Sequence, residues 1–460
     1  MHQPPSFMPL TTHRQDGWSP VDASTETVPH VETEAQAAPD KPPSAPPEQP
    51  DSMHSMPVPL PLRRLMRHKR VLLLQGPMGP FFSKLAQFLK RQDVEVGKVN
   101  FNGGDALFYR DLDAVAYTGR HEDLHDWLHE HIRQRGYEAI VLFGQCRPVH
   151  KVARGVAQEL GLAAHIFEEG YIRPDYITLE ESGVNAWSPL PRDAAFYRSQ
   201  AVPEEASHRP KPQPTAQRFR KTASLATLYA IGMAIGRIKY RHHVYHRPLN
   251  PLVQGWQWGV IGGLRKLRGY VLDRPILKQL TGPECSGRYF VLPLQVHNDS
   301  QMVDNSPFGS NEDLIEHVLR SFAAHAKAED LLVIKHHPMD RAYRNYSHFI
   351  HQQACRLGIG KRIIVAQDLH LPTLLDHAKG LVTVNSTTGL QALLHNTPVA
   401  VLGACAYDIE GLVFGQGRHL DQFWAAPGKV DLDLFWRYRN YLIEHTQLNA
   451  SFYARAPVLD

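Results

Sequence analysis

Two neighbouring carboxylates, Glu168 and Glu169, close the apolar run 163–167, and Gly170, Arg173 and Asp175 follow within a few residues. Carboxylates delivered by the end of a buried strand suit general acid–base or nucleophilic work. An ordinary charged turn is the competing explanation that local pattern leaves open. A second set, Lys335-His336-His337-Pro338, follows the apolar run 331–334. Cations at that position can neutralise a leaving phosphate without a metal, and Pro338 stiffens the exit from the strand. Adjacent histidines project differently from an extended chain, so these two are not expected to share one metal ion.

Two further stretches have the types and spacing for ligand contact. Asn385-Ser386-Thr387-Thr388-Gly389-Leu390-Gln391 joins an apolar run to an apolar helical pattern. Hydroxyls and free amides at such a junction seat an anion, although an N-cap needs no ligand at all. Gln75-Gly76-Pro77-Met78-Gly79 is a glycine-bearing strand-to-helix turn whose amides can approach a ligand closely, without GxGxxG spacing. The Asp-x-Asp pairs at Asp111/Asp113 and Asp431/Asp433 sit at no evident strand end and read as solvated turns.

The elements that must position these groups alternate regularly. The runs 71–74, 139–143 and 163–167 read as buried parallel strands, with helices over 81–91 and 149–160 between them. The turn Asn102-Gly103-Gly104-Asp105 follows a further strand at 94–99. A second series, with strands at 289–294, 331–335, 362–365, 380–384 and 398–403 and a helix over 311–327, repeats the pattern. Two Rossmann-like halves facing a cleft predict an α/β, GT-B-like fold. The predicted divisions are a Pro-rich disordered tail (1–69), an N-terminal Rossmann-like acceptor domain (70–205), a helical segment (206–283), a C-terminal Rossmann-like nucleotide-sugar domain (284–440) and a tail (441–460).

Composition adds exclusions. The chain has 460 residues, 43% hydrophobic, with a formal net charge of +4, which gives no case for nucleic acid. Four scattered cysteines offer no CxxC pair, so neither a disulfide framework nor a zinc site is expected, and a reducing cytoplasmic compartment is. No secretory signal and no run of about 20 apolar residues are visible. Fourteen of the 35 prolines fall in residues 1–69, whose aromatics are Phe7 and Trp18 alone, and the segment ends in the basic string 63–70. Within 206–283, two uncharged stretches are flanked by Arg218, Arg220 and Lys221, by Arg237, Lys239 and Arg241, and by Arg265, Lys266 and Arg268, with Tyr229, Tyr240, Trp256 and Trp258 among them. Apolar surface, interfacial aromatics and cations together fit a helix lying on an anionic membrane, and inter-domain packing fits equally.

The strings LLLQGPMGPFF, VNFNGGD, FEEGYIRPDYITLE, GVNAWSPLPRD, PLQVHNDSQ, IKHHP, VNSTTGLQALLHNTPVAVLG and AYDIEGL occur in order over about 70–415. Together they resemble the bacterial capsule polysaccharide biosynthesis family. The resemblance implies a metal- and cofactor-independent transferase that moves Kdo (3-deoxy-D-manno-oct-2-ulosonic acid) from CMP-Kdo to a lysophosphatidylglycerol or related lipid. The product would start a poly-Kdo linker at the inner face of the inner membrane, beside other capsule assembly proteins. It implies donor contacts from Lys335, His337, Pro338, Ser386, Thr387, Thr388 and Gln391, and chemistry at Glu169, with Glu168 and Asp175 as neighbours. Related enzymes carry Glu-Asp-Gly where this chain has Glu168-Glu169-Gly170. Gln75, Gly76, Asn102 and Gln295 are the further substrate contacts expected, and Arg173 is the expected partner of the sugar carboxylate. A non-catalytic export or assembly factor and a nucleotide-sugar epimerase are the alternative classes.

Overall fold

Parallel strands form wherever the sequence supplies short apolar runs punctuated by glycine, and they gather into two sheets. The computed structural model describes residues 58–200, 212–216, 219–243, 256–297, 302, 305–415 and 418–460. Residues 1–57 of the expected 1–69 tail and parts of the 206–283 segment therefore lie outside the described residues. The first sheet has seven strands in the order β12-β6-β5-β4-β1-β2-β3. Its parallel part comprises β1 (Arg70–Leu73), β2 (Glu95–Asn100), β3 (Ala114–Ala116), β4 (Ala139–Phe143) and β5 (Ala163–Glu169). β6 (Tyr176–Glu181) and β12 (Gln447–Asn449) extend it antiparallel. The second sheet is wholly parallel, in the order β11-β10-β7-β8-β9. Its strands are β7 (Tyr289–Pro293), β8 (Leu331–Lys335), β9 (Ile363–Ala366), β10 (Gly380–Thr383) and β11 (Val399–Val401). Each sheet is buried on both faces, which explains why β1, β4, β7, β8 and β10 read as unbroken apolar runs. This is the doubly wound α/β, GT-B-like arrangement that the alternation predicts.

Two features depart from the expected divisions. The described chain is ordered well before residue 69: helix Leu60–Leu65 buries Leu62 and Leu65. The basic string contributes Arg64, which donates to the His445 carbonyl at 3.3 Å, and Arg70, which pairs with Glu95 at 2.9 Å. Residues 441–460 are no loose tail. Helix Leu432–Thr446 runs into β12, which returns to pair with β6 in the first sheet, Leu448 opposite Ile177. Asp431 is the N-cap of that helix, accepting the Leu434 amide at 3.0 Å and pairing with Arg198 at 2.7 Å, which fixes one Asp-x-Asp pair in a capping role. Asp113 pairs with Lys90 at 2.6 Å.

The segment between the halves contributes two helices. Helix Phe219–Gly236 packs against helix Gly103–Phe108 through glycines on both sides; a Cβ on Gly103 would collide with the Gly232 carbonyl. Its far face exposes Leu228, Ile231 and Ile235. Helix Gly263–Leu280 exposes Leu264, Leu267, Val271 and Leu272 and is tied to the loop after β9. There Asp273, buried, accepts the amides of Gln367 (3.1 Å) and Asp368 (2.5 Å). No described helix is long and apolar enough to cross a membrane.

Candidate active site

In an open α/β sheet, ligands bind beyond the carboxyl ends of the strands, and the carboxyl ends of the two sheets here meet at a cavity of about 610 Å³. The first sheet supplies Glu168 and Glu169 from the end of β5, then Tyr171, Ile172, Arg173 and Pro174 from the following loop. The second supplies Gln295 after β7, His337 after β8, and Asn385, Ser386, Thr387, Thr388 and Gln391 after β10. The 168–174 stretch and the 385–391 stretch, more than 200 residues apart in sequence, therefore share one chamber.

The β10 loop is organised by its own hydroxyls. Ser386 Oγ accepts the Thr388 amide at 3.2 Å and lies 3.0 Å from Thr388 Oγ1, where helix Thr388–Leu394 begins. Gln295 Nε2 donates to Asn385 Oδ1 at 2.9 Å, joining the ends of neighbouring strands β7 and β10. His337 caps the short turn after β8, its Nδ1 accepting the Met339 amide at 3.1 Å. Burial, with Lys335 and Arg173 nearby, holds the imidazole down to about 4, so it is neutral at physiological pH.

On the opposite wall, burial raises the Glu169 carboxyl above the usual carboxylate range while Arg173 opposes the rise. A carboxyl moved towards neutrality by desolvation and partly recovered by a cation is the environment of a group that exchanges protons or bonds. Glu168 Oε1 accepts the Glu169 amide at 3.1 Å. The loop that carries Arg173 is pinned from the far end of the chain: Gln447 Oε1 accepts the amides of Tyr171 (3.1 Å) and Ile172 (3.3 Å).

Other expected residues lie elsewhere. Lys335, the last residue of β8, is buried and outside the cavity lining, facing the charges of Asp368 and Asp273; burial lowers its ammonium. Pro338 starts the turn behind His337 and is also outside the lining. Asp175 accepts the amide (2.8 Å) and hydroxyl (3.0 Å) of Thr215, fastening residues 212–216. Gln75 and Asn102 turn to Tyr229 on helix Phe219–Gly236, at 3.5 and 2.9 Å. The Gly76 carbonyl accepts from Arg147 at 3.1 Å. Asn185, Phe435 and Arg439 line the cavity although nothing in their local sequence points there. Phe435 and Arg439 are one helical turn apart on helix Leu432–Thr446, a spacing visible in the sequence but meaningless until that helix is known to cross back.

Fold and cavity together define a two-sheet α/β protein with a polar chamber between the carboxyl ends of its sheets, and sequence comparison gives its family. The chain belongs to the capsule polysaccharide biosynthesis protein family, whose profile matches residues 138–453. It is 41% identical over 393 residues to the Escherichia coli capsule polysaccharide export protein KpsS, covering 85% of this chain and 98% of that one. It is 40% identical over 396 residues to the capsule polysaccharide modification protein LipB of Neisseria meningitidis, covering 84% and 92%. Among solved structures, the Thermosulfurimonas dismutans KpsC β-Kdo 2,7 transferase overlaps 80% of this chain and 89% of its own at 13% identity, with a TM-score of 0.37. That overlap is loose, and the fold assignment rests on the strand order.

Proposed function

We propose that the protein is a glycosyltransferase that moves Kdo from CMP-Kdo to a lysophosphatidylglycerol-type acceptor and so starts the lipid-linked base of a capsule chain. The observation that carries the reading is the single cavity in which Glu168 and Glu169 face His337, Ser386, Thr387, Thr388 and Gln391. A nucleoside monophosphate sugar brings one phosphate and, for Kdo, one carboxylate. The hydroxyls and the neutral imidazole suit the phosphate, and Arg173 suits the sugar carboxylate. Glu169 is the carboxylate assigned to the chemistry, as the nucleophile of a retaining transfer, with Glu168 its neighbour. Lys335 acts on the donor side from behind the wall, through the field it adds at His337.

The acceptor reading is supported by helices Phe219–Gly236 and Gly263–Leu280. Each exposes apolar side chains, and cations flank them (Arg237, Lys239 and Arg241; Lys266 and Arg268). Such surfaces suit peripheral docking on anionic lipid at the inner face of a bacterial inner membrane. A second reading, a non-catalytic export or assembly factor, takes its support from the word "export" in the name of the E. coli relative. Mass spectrometry of the purified chain with CMP-Kdo and a fluorescent lysophosphatidylglycerol decides between them. Transfer predicts acceptor gaining Kdo as CMP is released. Binding without CMP release favours the assembly factor, and conversion of free nucleotide-sugar without acceptor identifies an epimerase.

A further inference from the structure

Behind the cavity wall sits a carboxylate that the proposed transfer does not use. Glu180, on β6, is buried, and its two oxygens accept from the Tyr171 hydroxyl at 2.6 Å and the Ser188 hydroxyl at 2.5 Å. The Tyr171 oxygen accepts in turn from the Asn185 amide at 2.5 Å. Tyr171 and Asn185 both line the cavity, whereas Glu180 lines a separate pocket, with Arg64 and His445. Asn185 has φ +58°, a left-handed conformation that asparagine adopts more readily than most side chains. Two residues further, the Trp187 indole donates to Asn305 Oδ1 at 3.0 Å, so the same strap reaches the second half of the molecule.

We propose that Glu180 is a positioning residue: its carboxylate fixes the Tyr171 hydroxyl and the 184–188 strap, and so sets the shape of the substrate cavity from behind. An ionised carboxylate accepts from both hydroxyls and leaves the Tyr171 oxygen free to receive the Asn185 amide. When Glu180 gains a proton it must itself donate, one hydroxyl hydrogen loses its acceptor, and the strap loosens. Burial pushes this carboxyl up to about 7, with the Ser188 and Tyr171 hydrogen bonds and Arg64 opposing the rise. The groups facing it are Arg64 from helix Leu60–Leu65, Tyr197, and Tyr438, Tyr441 and His445 from helix Leu432–Thr446. The tyrosines remain neutral here, burial raising their hydroxyls. The strap is therefore tight above neutrality and slack below it.

Only the kinetic arm of the test rests on the transferase reading. Hydrogen exchange of peptides spanning 183–190, followed by mass spectrometry between pH 6 and 8.5 and corrected for intrinsic rates, reads the strap directly. In the native protein, protection should fall by about tenfold as pH drops through this range, the loss of one hydrogen bond's worth of closure. Glu180→Gln should lose both the protection and its pH dependence. Tyr171→Phe should do the same, and it keeps the test open if the first variant folds poorly. With CMP-Kdo and acceptor, both variants should show lower kcat/KM, while Glu180→Asp recovers part of it. Wild-type exchange in both folded variants overturns the proposal, as does altered exchange with unaltered turnover. If the native protein itself transfers nothing, the transferase reading fails and the exchange arm still decides the role of Glu180.

Discussion

The two sheets are built alike and used differently at their carboxyl edges. Each has a point where the winding reverses, between β1 and β4 in the first and between β7 and β10 in the second, which is where such sheets open a crevice. In the second sheet the crevice is open: Gln295 and Asn385, joined at 2.9 Å, both line the cavity. In the first it is shut. Arg147 bonds to Gly76, while Gln75 and Asn102 hold Tyr229 of an apolar helix over the strand ends. The first half reaches the cavity instead from β5, one strand away. One half thus keeps its crevice open to the cavity, and the other covers its own with a helix that faces solvent with apolar side chains, presenting Glu168 and Glu169 from beside it.

The largest effect should come from the carboxylates the first half presents. Glu169→Gln keeps shape and removes charge, so turnover should fall by roughly 10²–10⁴ while CMP affinity and thermal stability stay near native values. Steady-state CMP release and calorimetry read the two separately. A Glu169→Gln enzyme with near-normal turnover, joined by an equally active Glu168→Gln, would remove the first half from the chemistry altogether.

Next is the exposed surface. Arg237, Lys239 and Arg241 follow the helix on the first half, Lys266 and Arg268 belong to the one on the second, and all five are exposed. Arg265 should be left alone, since it donates to the Arg341 carbonyl at 2.8 Å. Changed to Gln together, the five should cost roughly 1 kcal/mol of membrane affinity each. Co-sedimentation with phosphatidylglycerol vesicles should drop accordingly, and salt should release the native protein in the same way. Activity on a short-chain soluble acceptor should persist. Changing the two sets separately sharpens the comparison: equal losses mean that both halves dock, and a loss confined to one set means that one half alone carries the surface.

The strand–helix alternation was legible because parallel strands are apolar on both faces, and β8 and the helix Phe81–Arg91 appear where periodicity puts them. β6 and β12 were not. Both mix polar and apolar residues on the antiparallel side of the sheet, and their pairing joins Tyr176 to Asn449 across the chain, a contact without local signature. The same crossing hides Gln447, Phe435 and Arg439 from a sequence reading of the site. Lys335 shows another limit: a strand end fixes where a side chain starts, not whether it turns towards the cavity or, as here, towards Asp273 and Asp368. Glu169, His337 and the 386–391 loop were readable because each closes an apolar run at a glycine, proline or hydroxyl-rich turn.

Tyr229 is the pin that shuts the first crevice, donating to Asp105 at 2.7 Å and accepting from Asn102 at 2.9 Å. Tyr229→Phe leaves buried polar groups short of a partner and should cost about 1–3 kcal/mol of stability, read as a fall in Tm. If the crevice is merely covered, the variant should keep its CMP affinity. A changed affinity would mean that the two crevices communicate.

The smallest effect belongs to His337, and its sign is the test. Its imidazole is held down to about 4, so at pH 7 it is neutral and His337→Ala should weaken CMP binding by only about 0.5–1.5 kcal/mol, the worth of an uncharged hydrogen bond. An arriving phosphate dianion favours the protonated ring, so binding should take up a proton and tighten as pH falls from 7 towards 5. Without ligand the linkage runs the other way. The unfolded chain, with a histidine pKa of about 6.5, binds the proton more readily than the folded one. Between that value and about 4, each step down in pH therefore removes stability. The ligand-free protein should lose stability over the pH range in which its affinity for CMP grows, and His337→Ala should flatten both trends. Calorimetry in buffers of different ionisation enthalpy counts the proton directly, and zero uptake by the native protein would place the phosphate away from His337.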